Sequence, residues 1–166
     1  MKYLICFVVL VLSAVPVTGQ TPAADNNGKL IRIDHEIVVS APISKVWAAL
    51  TTPEGLRGWV APEAKVELFL GGAYELYFRP NDEEDRGMEG TRVISLVPGE
   101  MLSYTGEIPG TWVVWRLDRL DNGRTRIRFS GLGSGSEWEK RHRYFDNGTT
   151  EVLQRLSKSV TSASSN

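Results

Sequence analysis

The stretch Ser40-Ala-Pro-Ile-Ser-Lys-Val-Trp-Ala-Ala-Leu-Thr-Thr-Pro-Glu-Gly-Leu-Arg-Gly-Trp59 decides the fold, because it contains two helix starts in one short segment. Pro42 stands near a first helical position, where its missing N–H costs nothing, and apolar residues follow at helical spacing. Thr52-Pro53-Glu54 repeats the pattern with a capping hydroxyl, a proline and an acid at the positive helix end. We therefore predict two short helices between about residues 43 and 58.

Strands are predicted on both sides of this segment. Residues 30–39 are rich in β-branched side chains, which is typical of a strand. Gly71-Gly72, Pro98-Gly99 and Asn122-Gly123 are hairpin turn sequences, so neighbouring strands are expected to be antiparallel. The six later strands are predicted at Lys65–Leu70, Ala73–Phe78, Arg92–Val97, Met101–Thr105, Thr111–Leu117 and Thr125–Ser130.

A long amphipathic helix is predicted from Ser136 to Leu156. At about 100° per residue, one stripe of this helix collects mostly apolar side chains and one histidine. The stripe comprises Trp138, His142, Phe145, Thr149, Val152 and Leu156. Asn147-Gly148 is expected to weaken or kink the helix. The fold class is therefore α+β: a curved seven-stranded antiparallel sheet wrapped around a long C-terminal helix, with two short helices after the first strand and a hollow between sheet and helix.

The chain ends are expected to lie outside this domain. Residues 1–19 have a basic start, a short apolar run and small residues near Gly19, which predicts a cleavable signal peptide and a secreted or periplasmic protein. The apolar run is shorter than the ~20 residues that span a bilayer, so no stable membrane insertion is expected. A disordered linker is predicted at 20–29, the domain at 30–160 and a disordered tail at 161–166.

Composition excludes several classes of site. The only cysteine, Cys6, lies in the predicted signal peptide, so the mature chain is expected to have no disulfide and no sulfur-ligated zinc. The two histidines are far apart in sequence, and no metal or other cofactor is predicted. The net charge is −1, and no basic stripe is interleaved with aromatic residues, so nucleic acid is not an expected partner.

A series of short motifs in a fixed order resembles a known family. It comprises Ala41-Pro-Ile-x-x-Val-Trp47, Pro53-Glu54, Gly71-Gly-x-Tyr74, Trp115-x-Leu117 and Thr125 through Phe129. The chain resembles the START/Bet v 1-like (SRPBCC) helix-grip superfamily over residues 30–160. Within it, the chain is similar to the branch named for homologues of the activator of heat-shock protein 90 ATPase. The resemblance implies a helix-grip fold with an internal cavity.

Two features depart from the family pattern. The family's usual Gly-Trp in the last helix is Gly148-Thr149 here, which is expected to alter the cavity floor. The family is largely cytoplasmic, whereas this chain is predicted to be exported.

Alternation along the predicted strands assigns inward-facing side chains. The candidate ligand-binding residues of the cavity are Trp59, Tyr74, Phe78, Tyr104, Trp115, Trp138 and His142. The alternative is that these residues simply fill a core. His142 is interpreted either as a polar group at the pocket or as a packed structural histidine. Glu67 and Glu75 are predicted on the solvated face, and His35 on the surface of an edge strand.

Three functions remain open. The first is an exported, non-catalytic domain that binds a small, mostly apolar molecule between sheet and helix. The second is a cyclase-, dehydratase- or hydrolase-like enzyme that uses His142 with a tyrosine, since the superfamily includes such enzymes; no Gly-x-Ser-x-Gly nucleophile motif is present. The third is a protein-interaction module like the chaperone activator, but export makes a chaperone partner unexpected.

Overall fold

The computed structural model describes residues 29–162. The predicted signal peptide, nearly all of the predicted linker and residues 163–166 lie outside this range. Within residues 29–162 the elements are β1 (Ile31–Val39), α1 (Ile43–Thr51), α2 (Pro53–Arg57), β2 (Glu63–Val66), β3 (Tyr74–Tyr77), β4 (Gly87–Met88), β5 (Val93–Val97), β6 (Met101–Thr105), β7 (Thr111–Arg119), β8 (Thr125–Gly133) and α3 (Ser136–Ser162).

The strands form two antiparallel sheets that meet side by side. The larger has the order β1-β8-β7-β6-β5, and the smaller has the order β2-β3-β4. The sheets meet where Ala73 bridges Arg92 and where the Gly71 N–H donates to the Val93 carbonyl at 2.8 Å. α3 packs on the curved surface that they form, which confirms the α+β helix-grip class.

The strand count differs from the prediction: residues 29–162 form eight strands where seven were predicted. The additional strand, β4, has two residues and follows the acidic segment at residues 82–85; its Met88 pairs with Leu76. A strand of this length shows no sequence periodicity, because alternation needs at least four residues to be visible.

The two short helices are confirmed. Thr52 caps α2, since its Oγ1 accepts a hydrogen bond from the Gly55 N–H at 3.0 Å, and proline begins the helix. The C-terminal end of α1 is held from two sides. Trp59 Nε1 donates to the Ala49 carbonyl at 3.0 Å, and Tyr74 Oη donates to the Leu50 carbonyl at 2.8 Å.

The predicted two-residue turn at Gly71-Gly72 is wrong. β2 ends at Val66, and the Glu67 N–H donates to the Ala73 carbonyl at 2.8 Å, so a longer loop over residues 67–73 joins the strands. The Glu67 side chain is partly buried and accepts from the Ala73 N–H at 2.9 Å, which closes the loop at its base. Leu68, Phe69 and Leu70 are exposed in this loop, and we call these three residues the apolar tip.

α3 is one continuous helix through Asn147-Gly148, so the expected interruption is not present. Gly148 has no atom within 4 Å of the position a Cβ would take, and the helix loses only the intrinsic propensity of glycine there. The helix also includes Thr161 and Ser162, which were assigned to the tail. Near its start, Trp138 Nε1 donates to the Ile31 carbonyl of β1 at 3.1 Å.

Two polar residues are less exposed than predicted. Glu75 is buried, at 8% exposure. It accepts hydrogen bonds from Tyr77 Oη at 2.5 Å and from the Gly90 N–H at 3.1 Å. Burial and the neighbouring Glu75 raise the pKa of Tyr77 to about 12. His35 lies on edge strand β1 as predicted, but its side chain is 22% exposed and its Nε2 lies 2.7 Å from Asp146 Oδ1 of α3. Alternation cannot foresee the contacts with Gly90 and Asp146, because these two residues come from segments distant in sequence.

Candidate functional site

Almost all buried apolar residues within residues 29–162 belong to one of two clusters. The main cluster joins the sheets, α1, α2 and the C-terminal half of α3. The smaller cluster consists of Ile33, Ile108 and Trp138, with Ile31, Phe129 and Phe145 partly buried against it. Residues of both clusters line one cavity, which is an unfilled space between the sheet and the helix.

This cavity has a volume of about 730 Å³. Sheet residues form one wall, the middle of α3 forms the other, and Trp59 after α2 lies between them. The buried part of the wall is largely aromatic and aliphatic; it includes Trp59, Tyr74, Leu76, Tyr104, Trp115 and Trp138. A concave, mostly apolar space of this size, with few polar groups, is typical of a small-molecule site.

Trp115 occupies the centre of the aromatic wall. Its ring makes edge contacts with Trp59, at 6.0 Å between centroids, and with Phe129, at 4.9 Å. Its Nε1 donates to Tyr104 Oη at 3.2 Å. Edge-to-face contacts are a favourable arrangement of aromatic rings, so the neighbours fix the orientation of the indole.

Two tyrosines stack in the same wall. The Tyr74 and Tyr104 rings are 4.1 Å apart at an interplanar angle of 22°. Burial, and secondarily the neighbouring Tyr104, raise the pKa of Tyr74 well above its usual value. Burial also raises the pKa of Tyr104 to about 12. Both hydroxyls are therefore neutral at physiological pH.

The cavity opens at a polar rim, which we call the mouth. Its residues are exposed and belong to the end of β3, the loop before β7 and the middle of α3. They are Phe78, Glu107, Arg141, Tyr144, Asn147 and Glu151. Tyr144 is 77% exposed, and the Arg141 guanidinium lies 5.5 Å from the Phe145 ring centroid. Charged side chains are thus concentrated at the opening and not in the buried wall.

Six of the seven candidate residues line the cavity. Phe78 does so at the mouth with 44% exposure. The other five, Trp59, Tyr74, Tyr104, Trp115 and Trp138, belong to the buried wall. His142 is not among the lining residues: its Nδ1 lies 2.9 Å from the Glu139 carbonyl and 3.2 Å from that of Trp138. The ring therefore faces the backbone of its own helix. The helical spacing of apolar residues in the sequence does not show such a contact.

Other lining residues were not predicted. Ile108 and Thr111 belong to the loop before β7 and the start of that strand, and both are buried. Turn residues are usually polar, so an isoleucine between Glu107 and Pro109 is unusual. It was the one sequence feature that indicated a buried loop there. Arg141 and Tyr144 lie on the polar side of the predicted stripe, and they reach the cavity only at its mouth.

Within residues 29–162, no three histidine, cysteine, aspartate or glutamate side chains lie close enough together to hold a metal ion. None of the helices in that range is long and apolar enough to cross a bilayer.

Comparison with known proteins agrees with this geometry. A family model described as "Activator of Hsp90 ATPase homolog 1-like protein" matches residues 40–161. A solution structure of a Bacillus halodurans protein is similar at 26% identity and a TM-score of 0.61, covering 78% of this chain and 96% of that chain.

Two further structures show the same fold. The solution structure of the Aha1 dimer from Colwellia psychrerythraea has 23% identity and a TM-score of 0.60, covering 78% of this chain and 96% of its own. A crystal structure of a protein from Nitrosomonas europaea has 18% identity and a TM-score of 0.67, covering 80% and 96% respectively. No curated protein matches the chain. Since the family model spans most of the sequence, the chain belongs to the family of Activator of Hsp90 ATPase homolog 1-like proteins, within the START/Bet v 1-like superfamily.

Proposed function

We propose that this chain is an exported, non-catalytic protein that binds a small, mostly apolar molecule in the cavity between the sheet and α3. The observation that carries the proposal is the cavity of about 730 Å³ with a buried aromatic wall, in which the charged members of the described lining lie at the mouth. Removing apolar surface from water stabilises a complex by roughly 25 cal/mol per Å² before the costs of association, so such a wall favours apolar ligands.

The position of His142 argues against the enzymatic alternative. An acid–base group must reach the reacting atoms within hydrogen-bond distance. The His142 ring lies beside backbone carbonyls of α3 and does not line the cavity. The tyrosines of the wall have raised pKa values, so their hydroxyls stay protonated at neutral pH and no tyrosinate is available there as a base.

Binding is tested on the purified protein with apolar probes that include fluorene, 9-fluorenone and 1-decanol. Native mass spectrometry gives the stoichiometry, and isothermal titration calorimetry gives the affinity. We expect one probe per chain, with a negative heat-capacity change because apolar surface is buried. Failure of every probe to bind at its solubility limit would overturn the proposal.

The apolar tip provides the matched control, because it is another place where an apolar probe can adhere. Phe69 and Leu70 are 59% and 71% exposed, lie in the loop before β3 and are not among the lining residues. The double variant Phe69→Ser, Leu70→Ser is expected to keep wild-type affinity and stoichiometry. Loss of binding in this variant would place the probe on the tip and contradict the cavity proposal.

Export is tested separately with a reporter fused to residues 1–24. We expect the reporter to leave the cytoplasm and the fusion to be cleaved near Gly19. A reporter that stays in the cytoplasm contradicts the export part of the proposal. It would favour the third function, a protein-interaction module like the chaperone activator for which the family is named.

A further inference from the structure

The Tyr104 side chain is buried in the cavity wall, and its hydroxyl accepts a hydrogen bond but donates none to residues 29–162. Its oxygen accepts the Trp115 Nε1–H at 3.2 Å, and the residue is 5% exposed. No acceptor for its own proton is found among residues 29–162. The stacked Tyr74 differs, since its hydroxyl donates to the Leu50 carbonyl.

A buried hydroxyl proton without an acceptor is costly. Leaving such a donor unpaired costs about 1–3 kcal/mol, and most buried polar atoms in folded proteins have a partner. Because Tyr104 lines the cavity, a molecule bound in the cavity is the natural source of the missing acceptor.

The donor is well prepared for such a partner. Trp115 is fixed by its ring contacts with Trp59 and Phe129, and its N–H polarises the Tyr104 hydroxyl, which strengthens the O–H as a donor. Burial raises the pKa of Tyr104 to about 12, so the proton is retained throughout the physiological range.

The charged side chains around the cavity indicate which kind of hydrogen-bond acceptor a ligand would place beside Tyr104. The cation among the described lining residues is Arg141, which is exposed at the mouth, where Glu107 and Glu151 also lie. An anionic group beside Tyr104 would be desolvated without a cationic partner, which is strongly unfavourable. A carbonyl oxygen accepts a hydrogen bond without carrying a net charge.

We infer that the ligand is a neutral apolar molecule with a carbonyl oxygen at its buried end, and that this oxygen accepts a hydrogen bond from Tyr104 Oη. The inference rests on the proposed binding function and specifies the chemical class and orientation of the molecule.

The test compares two probes on two proteins. Fluorene and 9-fluorenone share one carbon skeleton and differ by the carbonyl oxygen, while Tyr104→Phe removes only the hydroxyl. The ratio of the two dissociation constants is measured for wild type and for the variant by calorimetry. Changes in probe hydrophobicity cancel when the wild-type ratio is divided by the variant ratio. We expect the dissociation constant of fluorene divided by that of 9-fluorenone to be about tenfold larger for wild type than for the variant. This factor corresponds to about 1.4 kcal/mol.

Tyr77→Phe is the matched control. It removes another tyrosine hydroxyl, one that donates to Glu75 and does not line the cavity. Its ratio of dissociation constants is expected to equal the wild-type ratio. A second measurement, the carbonyl stretching frequency of fluorenone bound to wild type, is independent of any variant. It should fall below its value in a dry hydrocarbon solvent, because a hydrogen bond weakens the C=O bond.

The outcomes separate this inference from the function on which it rests. If neither probe binds wild type, both fail. If both probes bind but wild type and Tyr104→Phe show the same ratio, the inference is overturned and the binding function stands; a water molecule paired with Tyr104 would give this result. If the variant does not fold, an unshifted carbonyl frequency in wild type overturns the inference and a lowered one supports it.

Discussion

At the scale of single residues, Tyr74 joins the smaller sheet to the end of α1. The last carbonyls of a helix have no partner within the helix. Tyr74 Oη satisfies one of them, the Leu50 carbonyl, at 2.8 Å, and both residues are almost completely buried. The hydroxyl therefore contributes to stability and not only to the cavity wall.

Replacing Tyr74 with phenylalanine is expected to lower the free energy of unfolding by about 1–2 kcal/mol, since the Leu50 carbonyl is left buried and unpaired. Urea denaturation monitored by circular dichroism measures this change. Tyr144→Phe is the control: its side chain is 77% exposed, and the expected change is within about 0.5 kcal/mol. Equal effects of the two substitutions would contradict this role of Tyr74.

The stability of the domain is expected to fall above about pH 10. An unfolded tyrosine ionises near pH 10, whereas the pKa of folded Tyr104 is about 12. Between these values the folded chain binds more protons than the unfolded chain, so the free energy of unfolding decreases as pH rises. Each such tyrosine contributes up to about 1.4 kcal/mol per pH unit. Urea titrations from pH 8 to 11.5 should give a shallower decline for Tyr104→Phe than for wild type, and identical slopes would refute this account.

At the scale of elements, two glycines show where α3 is closely packed and where it is not. A Cβ on Gly133 of β8 would lie 2.5 Å from Thr111 Cγ2 and 2.9 Å from the Trp138 ring. A Cβ on Gly148, in the middle of α3, would meet open space. The first glycine permits close packing of the helix on the sheet, and the second only lowers helix propensity.

The same substitution at these two glycines is expected to have opposite effects. Gly133→Ala should destabilise the domain by about 1–3 kcal/mol, because it pushes α3 away from β8. Gly148→Ala should stabilise it by about 0.5–1 kcal/mol, because alanine is the better helix former. Midpoints of thermal and urea unfolding measure both effects. A loss of stability in Gly148→Ala would mean that glycine is required at that position.

Regular elements were predictable from the sequence, and contacts between distant segments were not. The two short helices begin directly after Pro42 and Thr52, as their local sequence predicts. Most strands also form where their local sequence pattern predicts them. β4 and the loop over residues 67–73 depend on pairing with other strands, which no local pattern shows.

In the candidate site, too, positions on regular elements were predictable and the contacts of individual polar side chains were not. Alternation placed Tyr74, Tyr104 and Trp115 on one side of the sheet, where they line the cavity. Helical periodicity selected His142, whose ring instead contacts backbone, and it did not select Arg141 at the mouth. The periodicity identifies a face of the helix to within about one residue position, which is too coarse to decide what each polar side chain contacts.

At the scale of the whole molecule, the domain has empty space on one side of α3 and filled core on the other. Val152 is only partly buried against the main cluster and also lines the cavity, whereas its neighbour Leu153 is buried within that cluster at 3% exposure. A large side chain therefore has room at one position and not at the next.

Val152→Trp is expected to reduce probe affinity at least tenfold while leaving the unfolding midpoint unchanged or higher, since the indole fills space in the cavity. Leu153→Trp should instead lower stability by about 1–3 kcal/mol through overpacking. Calorimetric titration and thermal unfolding measure the two properties. Strong destabilisation by Val152→Trp would show that the wall is closely packed in solution.

Finally, α3 is fastened at its two ends. Trp138 holds one end to β1 and to the smaller cluster, while Leu153, Leu156 and Val160 hold the other in the main cluster. Between them, residues 141–150 contact the sheet through Phe145 and the Asp146–His35 pair, while most of the other side chains of this span are exposed, so we expect local opening there to cost less free energy than at either end. We expect amide protons of this central span to exchange with deuterium faster than those of residues 153–160, and uniform exchange along α3 would argue against it. Local opening of this span would widen the path by which a guest molecule enters and leaves the cavity.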